Sequence, residues 1–175
     1  MKSIIFFDGD GTLWYPKTTK RTVKPHWVYT DPATRADPLS HLVLTPTTRE
    51  TLEELRARGK RLVLLSTHPH EPEEAHRLLL QKVEYFSLGL LFDEIHAARS
   101  YAASKGEIMC AVLERLRIPK EEALMVGDTY DWDYKIARQF GIDSVLIDST
   151  YRQEHAEAKQ VSRVISELYE LLPFL

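Results

Sequence analysis

The sequence predicts an α/β fold, a three-layer α/β/α sandwich built on a five-stranded, mostly parallel sheet. Three observations lead there. Short apolar runs at residues 4–7, 61–66, 92–97, 123–126 and 144–147 alternate with longer stretches of helical period. Most of these runs are unbroken rather than alternating, the mark of strands buried on both faces. Polar residues with chemical capability follow directly after several of them, at the strand ends where open α/β sheets bind ligands. The 175 residues suffice for one well-filled core, so a single domain spanning 1–175 is expected.

The first run says most. Ile4-Ile5-Phe6-Phe7 passes straight into Asp8-Gly9-Asp10-Gly11-Thr12-Leu13. Gly9 and Gly11 permit a tight turn that a ligand can approach closely. Two carboxylates at such a place are unfavourable unless something uses them. An EF-hand calcium loop is excluded, because Leu13 and Thr19 stand where its glycine and glutamate belong. A dinucleotide fingerprint fails at Trp14, where the third glycine is missing, and no GxxxxGK[ST] phosphate loop occurs. The plain alternative is a polar Asp-Gly turn closing a hairpin.

Residues 14–46 break the pattern. Prolines at 16, 25, 32, 38 and 46 leave no helical period, so a mostly irregular flap is expected after the first strand. Five basic residues against two acidic ones give this insert a charge of +3 on a chain of −3. That asymmetry would draw anions toward its end of the sheet. Trp14, Tyr15, Trp27 and Tyr29 either offer flat contact surfaces or simply cover the core. The acidic overall balance argues against nucleic acid as a partner. No run approaches a membrane span, and no signal-peptide pattern precedes the first strand. The one cysteine, Cys110, lies in an apolar helical pattern that predicts a buried thiol; a cytoplasmic location is expected.

Beyond the insert, Thr45-Pro46 opens a helix with Leu52 and Leu55 as its apolar stripe and Gly59 as its end. The second strand closes at Ser66-Thr67-His68-Pro69, which taken alone reads as a turn and helix cap. His68, His70 and His76 lack cysteine or carboxylate partners at any zinc spacing, so His68 or His70 is expected at a pocket mouth instead. A helix over 71–85 sets Ala75, Leu78, Leu79 and Val83 on one buried face. Ser104 and Glu107 read as a capping box that puts Lys105 in the first turn of a helix. A cation there is disfavoured by the helix dipole unless an anion lies opposite. The fourth strand ends at Gly127-Asp128-Thr129-Tyr130-Asp131-Trp132-Asp133. Val161, Val164, Ile165, Leu168 and Leu172 then predict a closing amphipathic helix.

Taken in order, Asp8-Gly9-Asp10-Gly11-Thr12, Ser66, Lys105 and Gly127-Asp128 with Asp133 resemble the four motifs of the haloacid dehalogenase-like (HAD) phosphohydrolases. The resemblance covers essentially the whole chain outside the insert. It implies a Rossmann-like core, and the small flap without a full cap domain resembles the capless branch, which includes magnesium-dependent phosphatase type-1. By this resemblance Asp8 is the nucleophile, Asp10 the acid and base, and Ser66 and Lys105 hold the phosphoryl group. Mg2+ would be held by Asp8, Asp128, Asp133 and the backbone carbonyl of Asp10, with Asp131 the less suited alternative to Asp133. Thr67, Lys105, His68 and Trp14 would contact substrate.

The implied activity is Mg2+-dependent hydrolysis of a phosphate monoester through an aspartyl-phosphate. The expected substrate is a small phosphorylated metabolite such as a sugar phosphate, with no nucleic-acid or membrane partner, in a monomer or homodimer. A phosphoprotein substrate and a phosphomutase reaction stay open within the same family. A receiver-type signalling domain fits less well, since its phosphate acceptor closes a later strand, where this chain offers only Ser66 and Ala97. A non-catalytic binding module finds no support, because every chemical position is filled.

Overall fold

The structure, a computed structural model, describes residues 1–68, 70–99, 101, 103–154 and 156–175. Strand β1 (Ile4–Phe7) leads into a hairpin, β2 (Trp14–Pro16) with β3 (Leu42–Leu44), and then helix α1 (Thr48–Ala57). Next come β4 (Arg61–Thr67), α2 (Pro72–Tyr85), β5 (Glu94–Ala98) and α3 (Ala103–Leu116). The chain closes with β6 (Ala123–Gly127), α4 (Lys135–Gln139), β7 (Asp143–Ile147) and β8 (Val164–Ile165).

Six of these strands form one parallel sheet in the order β5-β4-β1-β6-β7-β8. Counted among themselves they run 3-2-1-4-5-6, the doubly wound order, and the winding reverses between β1 and β6. At that switch the two outgoing connections diverge to opposite faces, leaving a crevice at the carboxyl ends of β1 and β6. Everything chemical gathers there.

β1 is buried on both faces, as its unbroken apolar run predicts. Its side chains alternate across the sheet. Ile5 and Phe7 join Leu62, Leu64, Leu124 and Val126 against Leu52 and Leu55 of α1 and Leu79 and Val83 of α2. Ile4 and Phe6 join Val63, Leu65 and Met125 against Met109, Val112 and Leu113 of α3 and Ala137 of α4. One strand therefore anchors both cores. Each fully buried Leu or Ile contributes about 1.5–3 kcal/mol relative to exposure, so the strand that positions Asp8 is firmly fixed, together with its neighbours β4 and β6, which feed the same two cores.

Several expectations need correction. The sheet has a sixth strand: residues 164–165 pair with Leu146 and Ile147 instead of continuing a closing helix. The apolar spacing suits either period. The β-branched Val161, Val164 and Ile165 favour an extended chain, and β7 offers an open edge. Only Leu168–Phe174 is helical, as a 3-10 turn with Leu168 and Leu171 buried. The predicted capping box is not formed. The Ser104 hydroxyl accepts the Arg99 N–H (2.9 Å), while Glu107 accepts the Tyr101 hydroxyl (2.6 Å).

The insert is more ordered than its prolines imply. It carries the β2–β3 hairpin and 3-10 turns at Pro25–Tyr29 and Pro38–His41. α1 starts at Thr48 rather than at Pro46, because Thr45 and Thr48 turn inward. The Thr45 and Thr48 hydroxyls lie 2.7 Å apart, and the Thr45 hydroxyl is 2.8 Å from the Thr12 carbonyl and the Thr48 hydroxyl 3.2 Å from the Leu13 carbonyl. That clasp fixes the far side of the Asp8–Leu13 turn. Cys110 is half-buried rather than buried. Among the described residues, no helix is long and apolar enough to cross a membrane.

Candidate active site

The turn after β1 is built by its glycines. The Gly9 carbonyl accepts the N–H groups of Thr12 (3.1 Å), Leu13 (2.8 Å) and Trp14 (3.3 Å), folding the chain back on itself. Gly11 holds φ at +86°, and a Cβ there would fall on the Asp128 carboxylate. A side chain at Gly127 would likewise overlap Asp133. Bare backbone at these two positions lets the carboxylates close in.

Asp8 follows β1, and its N–H donates to the Val126 carbonyl of β6 (2.9 Å), which locks it across the switch. Asp128 follows β6. Asp133 returns to the same spot through a π-helical turn, Tyr130–Tyr134, and accepts both the N–H (3.0 Å) and the hydroxyl (2.6 Å) of Thr129. Each of Asp8, Asp128 and Asp133 is buried and offers a carboxylate oxygen to a cluster whose atoms lie within 4.8 Å of one another. Lys105, in the first turn of α3, donates to Asp8 and Asp133, at 2.5 Å each. Ser66, near the end of β4, donates to Asp8 at 3.1 Å.

Charge crowding dominates this group. Burial pushes the Asp8 carboxyl up to about 7 against the pull of Lys105, and Asp133 adds to the rise. Burial also drives Asp128 well above the usual carboxylate range, with Asp8 and Asp133 reinforcing it. Burial pushes the Lys105 ammonium down, but Asp133 and Asp8 more than offset this and hold it above its ordinary value. Three carboxylates against one ammonium leave an excess of negative charge in a buried space. The donor set is all hard oxygen, so the residues fit a small divalent cation such as Mg2+.

Asp10 lives in a different setting. Its carboxylate lies outside the three-acid cluster and is held by donors from three elements: Lys82 of α2 (2.6 Å), Tyr29 of the insert (2.5 Å) and Trp14 of β2 (3.0 Å). Burial pushes it up, but Lys82, His26 and the hydrogen bonds more than offset this and hold it down at about 2. Lys82 is itself 1% exposed. An ammonium so placed without a counter-charge would cost several kcal/mol, so its pairing with Asp10 is required by the fold.

A cavity of about 380 Å³ opens over this ground. It is lined by Asp8, Asp10, Thr67, Lys105, Asp128 and Thr129, by Lys24, Pro25 and His26 of the insert, and by Tyr130, Trp132 and Tyr151. The Thr67 hydroxyl is buried without a hydrogen-bond partner in the structure, a donor available to a ligand oxygen.

The structure thus brings together Asp8, Ser66, Thr67, Lys105, Asp128 and Asp133, with Asp10 alongside. It does not bring Trp14 or His68 to the cavity. Trp14 is fully buried behind Asp10, since its large apolar ring packs into the core and stacks on Phe86 at 5.8 Å. His68 is also buried, its ring 4.9 Å from Tyr29 and 4.8 Å from His70. Burial, with Lys82 nearby, pushes it down to about 3, so the ring is neutral, and it does not line the cavity. His26, not His68 or His70, stands at the cavity side.

Sequence reasoning missed Lys82 and Tyr151, and it offered Tyr29 as a flat contact surface or core cover rather than as a donor to Asp10. Tyr151 donates a short hydrogen bond to Asp128. Lys82 left a signal, because it falls on the same helical stripe as Ala75, Leu79 and Val83, where a lysine has no business without a buried partner.

Residues 27–141 match the sequence profile of haloacid dehalogenase-like hydrolases. The chain is 25% identical over 130 residues to pyrophosphatase PpaX of Bacillus mycoides, an alignment covering 74% of this chain and 58% of that protein. The chain therefore spans a little over half the length of the curated relatives it matches. A haloacid dehalogenase-like family protein from Streptococcus pneumoniae superposes with a TM-score of 0.72 at 19% identity, covering 99% of this chain and 98% of that one. A HAD phosphatase from Thermococcus onnurineus gives 0.68 at 20% identity, covering 99% and 97%. At these identities the two structures speak for the fold alone.

Proposed function

The chain belongs to the haloacid dehalogenase-like hydrolase family, and from that membership we propose a Mg2+-dependent phosphatase that hydrolyses a phosphate monoester through an aspartyl-phosphate. We place it in the capless branch and take its substrate to be a small phosphorylated metabolite such as a sugar phosphate. One observation carries the reading. The ends of β1, β4 and β6, the first turn of α3 and the π-helical turn after β6 deliver Asp8, Ser66, Asp128, Lys105 and Asp133 to one buried crevice.

A phosphate dianion is repelled by a carboxylate nucleophile, so attack needs neutralising charge. Asp8, Asp128 and Asp133, with the Asp10 carbonyl as a further donor, would hold Mg2+, which when bound would supply that charge as a Lewis acid. Lys105 contributes the protein's own positive charge, and Ser66 and Thr67 donate to phosphoryl oxygens.

An Asp8 oxygen bonds to phosphorus while the bond from phosphorus to the leaving oxygen breaks. That oxygen takes a proton from Asp10. The ester binds as its monoanion, whose second ionisation lies near pH ~6. Its remaining proton passes to Asp10 as the incoming negative charge raises the affinity of Asp10 for it. Asp10, now ionised, takes a proton from the water that attacks the aspartyl-phosphate, and inorganic phosphate leaves. The cavity of about 380 Å³ accommodates a small metabolite.

The test is a phosphate-release screen over sugar phosphates, nucleotides, phosphopeptides and pyrophosphate, with and without Mg2+; pyrophosphate is included because the matched relatives carry that name. The expected result is Mg2+-dependent release, fastest from small monoesters. Release that persists in chelator, or none from any compound, overturns the reading.

A further inference from the structure

We propose that Lys82 and Tyr29 are positioning residues for Asp10: together they hold the acid/base carboxylate in the one orientation from which it can reach the leaving oxygen. The inference rests on the phosphatase reading above and names residues that reading does not require. The observations are geometric. Both Asp10 oxygens are occupied, Oδ2 by Lys82 (2.6 Å) and Oδ1 by Tyr29 (2.5 Å) and Trp14 (3.0 Å).

The holders also brace each other. The Lys82 ammonium lies 4.3 Å from the centre of the Tyr29 ring and 5.9 Å from that of Trp14, within cation–π reach of both. Every member is buried or nearly so, and they come from β2, the insert and α2. The cage is thus closed by tertiary structure and not by the local turn. Lys82 interrupts an otherwise apolar helix face, a position that packing alone would fill with leucine. Asp8, two residues earlier, is held at Oδ1 alone, by Ser66 (3.1 Å) and Lys105 (2.5 Å), among the described residues.

A general acid works only within hydrogen-bond reach of the atom it protonates, so a carboxylate free to rotate loses its effect while the rest of the site stays intact. The consequence depends on the leaving group. When the phosphorus–oxygen bond of an alkyl phosphate breaks, the departing alkoxide must be protonated. The p-nitrophenolate of p-nitrophenyl phosphate is stable enough to leave without a proton. The comparison is made on kcat/KM, which reports the steps through aspartyl-phosphate formation and is blind to the later hydrolysis step, where Asp10 acts on both esters alike.

The experiment measures kcat/KM for glycerol phosphate and p-nitrophenyl phosphate in wild type, Lys82→Met and Tyr29→Phe, with Mg2+ affinity by calorimetry and melting temperature as companions. Wild-type turnover of p-nitrophenyl phosphate tests the phosphatase reading by itself. Given that turnover, the expected result is a loss of roughly 10-fold or more on the alkyl ester in each variant. Loss on the aryl ester stays below about 3-fold, and Mg2+ affinity is unchanged. Equal losses on the two esters, or an alkyl-ester rate that rises when the clamp is removed, overturn the proposal. Should Lys82→Met fail to fold, Tyr29→Phe decides alone, since it removes one hydroxyl from the insert and leaves the buried ion pair in place.

Discussion

Asp8 and Asp10 are the same residue, two positions apart, both buried, yet the protein treats them oppositely. Around Asp8 it gathers like charge: Asp128 and Asp133 share the space, and burial lifts the carboxyl to about 7. Around Asp10 it gathers donors: Lys82, Tyr29 and Trp14 outweigh burial and hold the carboxyl down at about 2. One region is left short of positive charge and, on the proposed function, would be completed by a cation. The other is complete in itself. On that reading a single glycine, Gly9, separates the carboxylate that would meet the charged ligands from the one that is held in place.

The largest expected effect comes from breaking the first region. Asp8→Asn keeps the shape, and the new amide oxygen still accepts from Ser66 and Lys105, but it cannot form the aspartyl-phosphate. Turnover should fall on the order of 10⁴-fold or more in a phosphate-release assay. The melting temperature should hold or rise, because one member of a crowded set of acids is gone. Near-normal hydrolysis by this variant would falsify the covalent mechanism.

Next in size is Lys105→Met. The ammonium donates at 2.5 Å to both Asp8 and Asp133, so its loss removes a charge stabilising the phosphoryl group and leaves two acids facing each other. Turnover should drop roughly 10²–10³-fold. Unlike Asp8→Asn, this variant should also melt lower without Mg2+ and recover part of the loss when Mg2+ is added. A variant that melts like wild type without Mg2+ would show that Lys105 does not hold the acids together.

The two regions should also differ in the sign of their pH dependence. Asp8 rises from an ordinary 3.8 to about 7 on folding, so its contribution is present below pH 4 and lost as pH rises toward 7. Asp10 is depressed from 3.8 to about 2, so its contribution is present above pH 4 and lost as pH falls toward 2. Metal-free protein should therefore melt progressively lower between pH 5 and 8, and Asp8→Asn should flatten that slope. Mg2+ at a hundredfold excess over its Kd should raise the melting temperature by roughly 5–10 °C at pH 8 and by less at pH 5, where protons compete for the same oxygens. Thermal scans with and without chelator read this directly.

The sequence announces the first region and hides the second, and the reason is range. Asp8, Ser66, Lys105 and Asp128 each sit at a strand end or helix start, and such boundaries show in short windows of apolar pattern. Their meeting follows from parallel topology, which brings strand ends to one rim whatever the loops do. The partners of Asp10 obey no such rule. Lys82 is 72 residues from it and Tyr29 lies in the proline-broken insert, so their approach is set by packing that no local period encodes. The closing segment failed for another reason: residues 161–172 satisfy a helical stripe, but the free edge of β7 offers Val164 and Ile165 a better place.

The smallest effects give the cleanest separation, because each region carries one tyrosine. Tyr29 donates to Asp10 and Tyr151 to Asp128, both from outside the motifs. Removing either hydroxyl deletes one charge-assisted hydrogen bond and little else. Tyr151→Phe takes away a donor that favours ionised Asp128, already driven upward by burial, Asp8 and Asp133. Protons then compete better with the cation, so Mg2+ affinity should weaken about 10-fold while the alkyl-to-aryl ester ratio stays put. Tyr29→Phe should do the reverse, leaving Mg2+ affinity alone and shifting the ratio. If both variants moved both quantities, the two carboxylates would form one coupled network, and the division of labour between Asp8 and Asp10 would have to be abandoned.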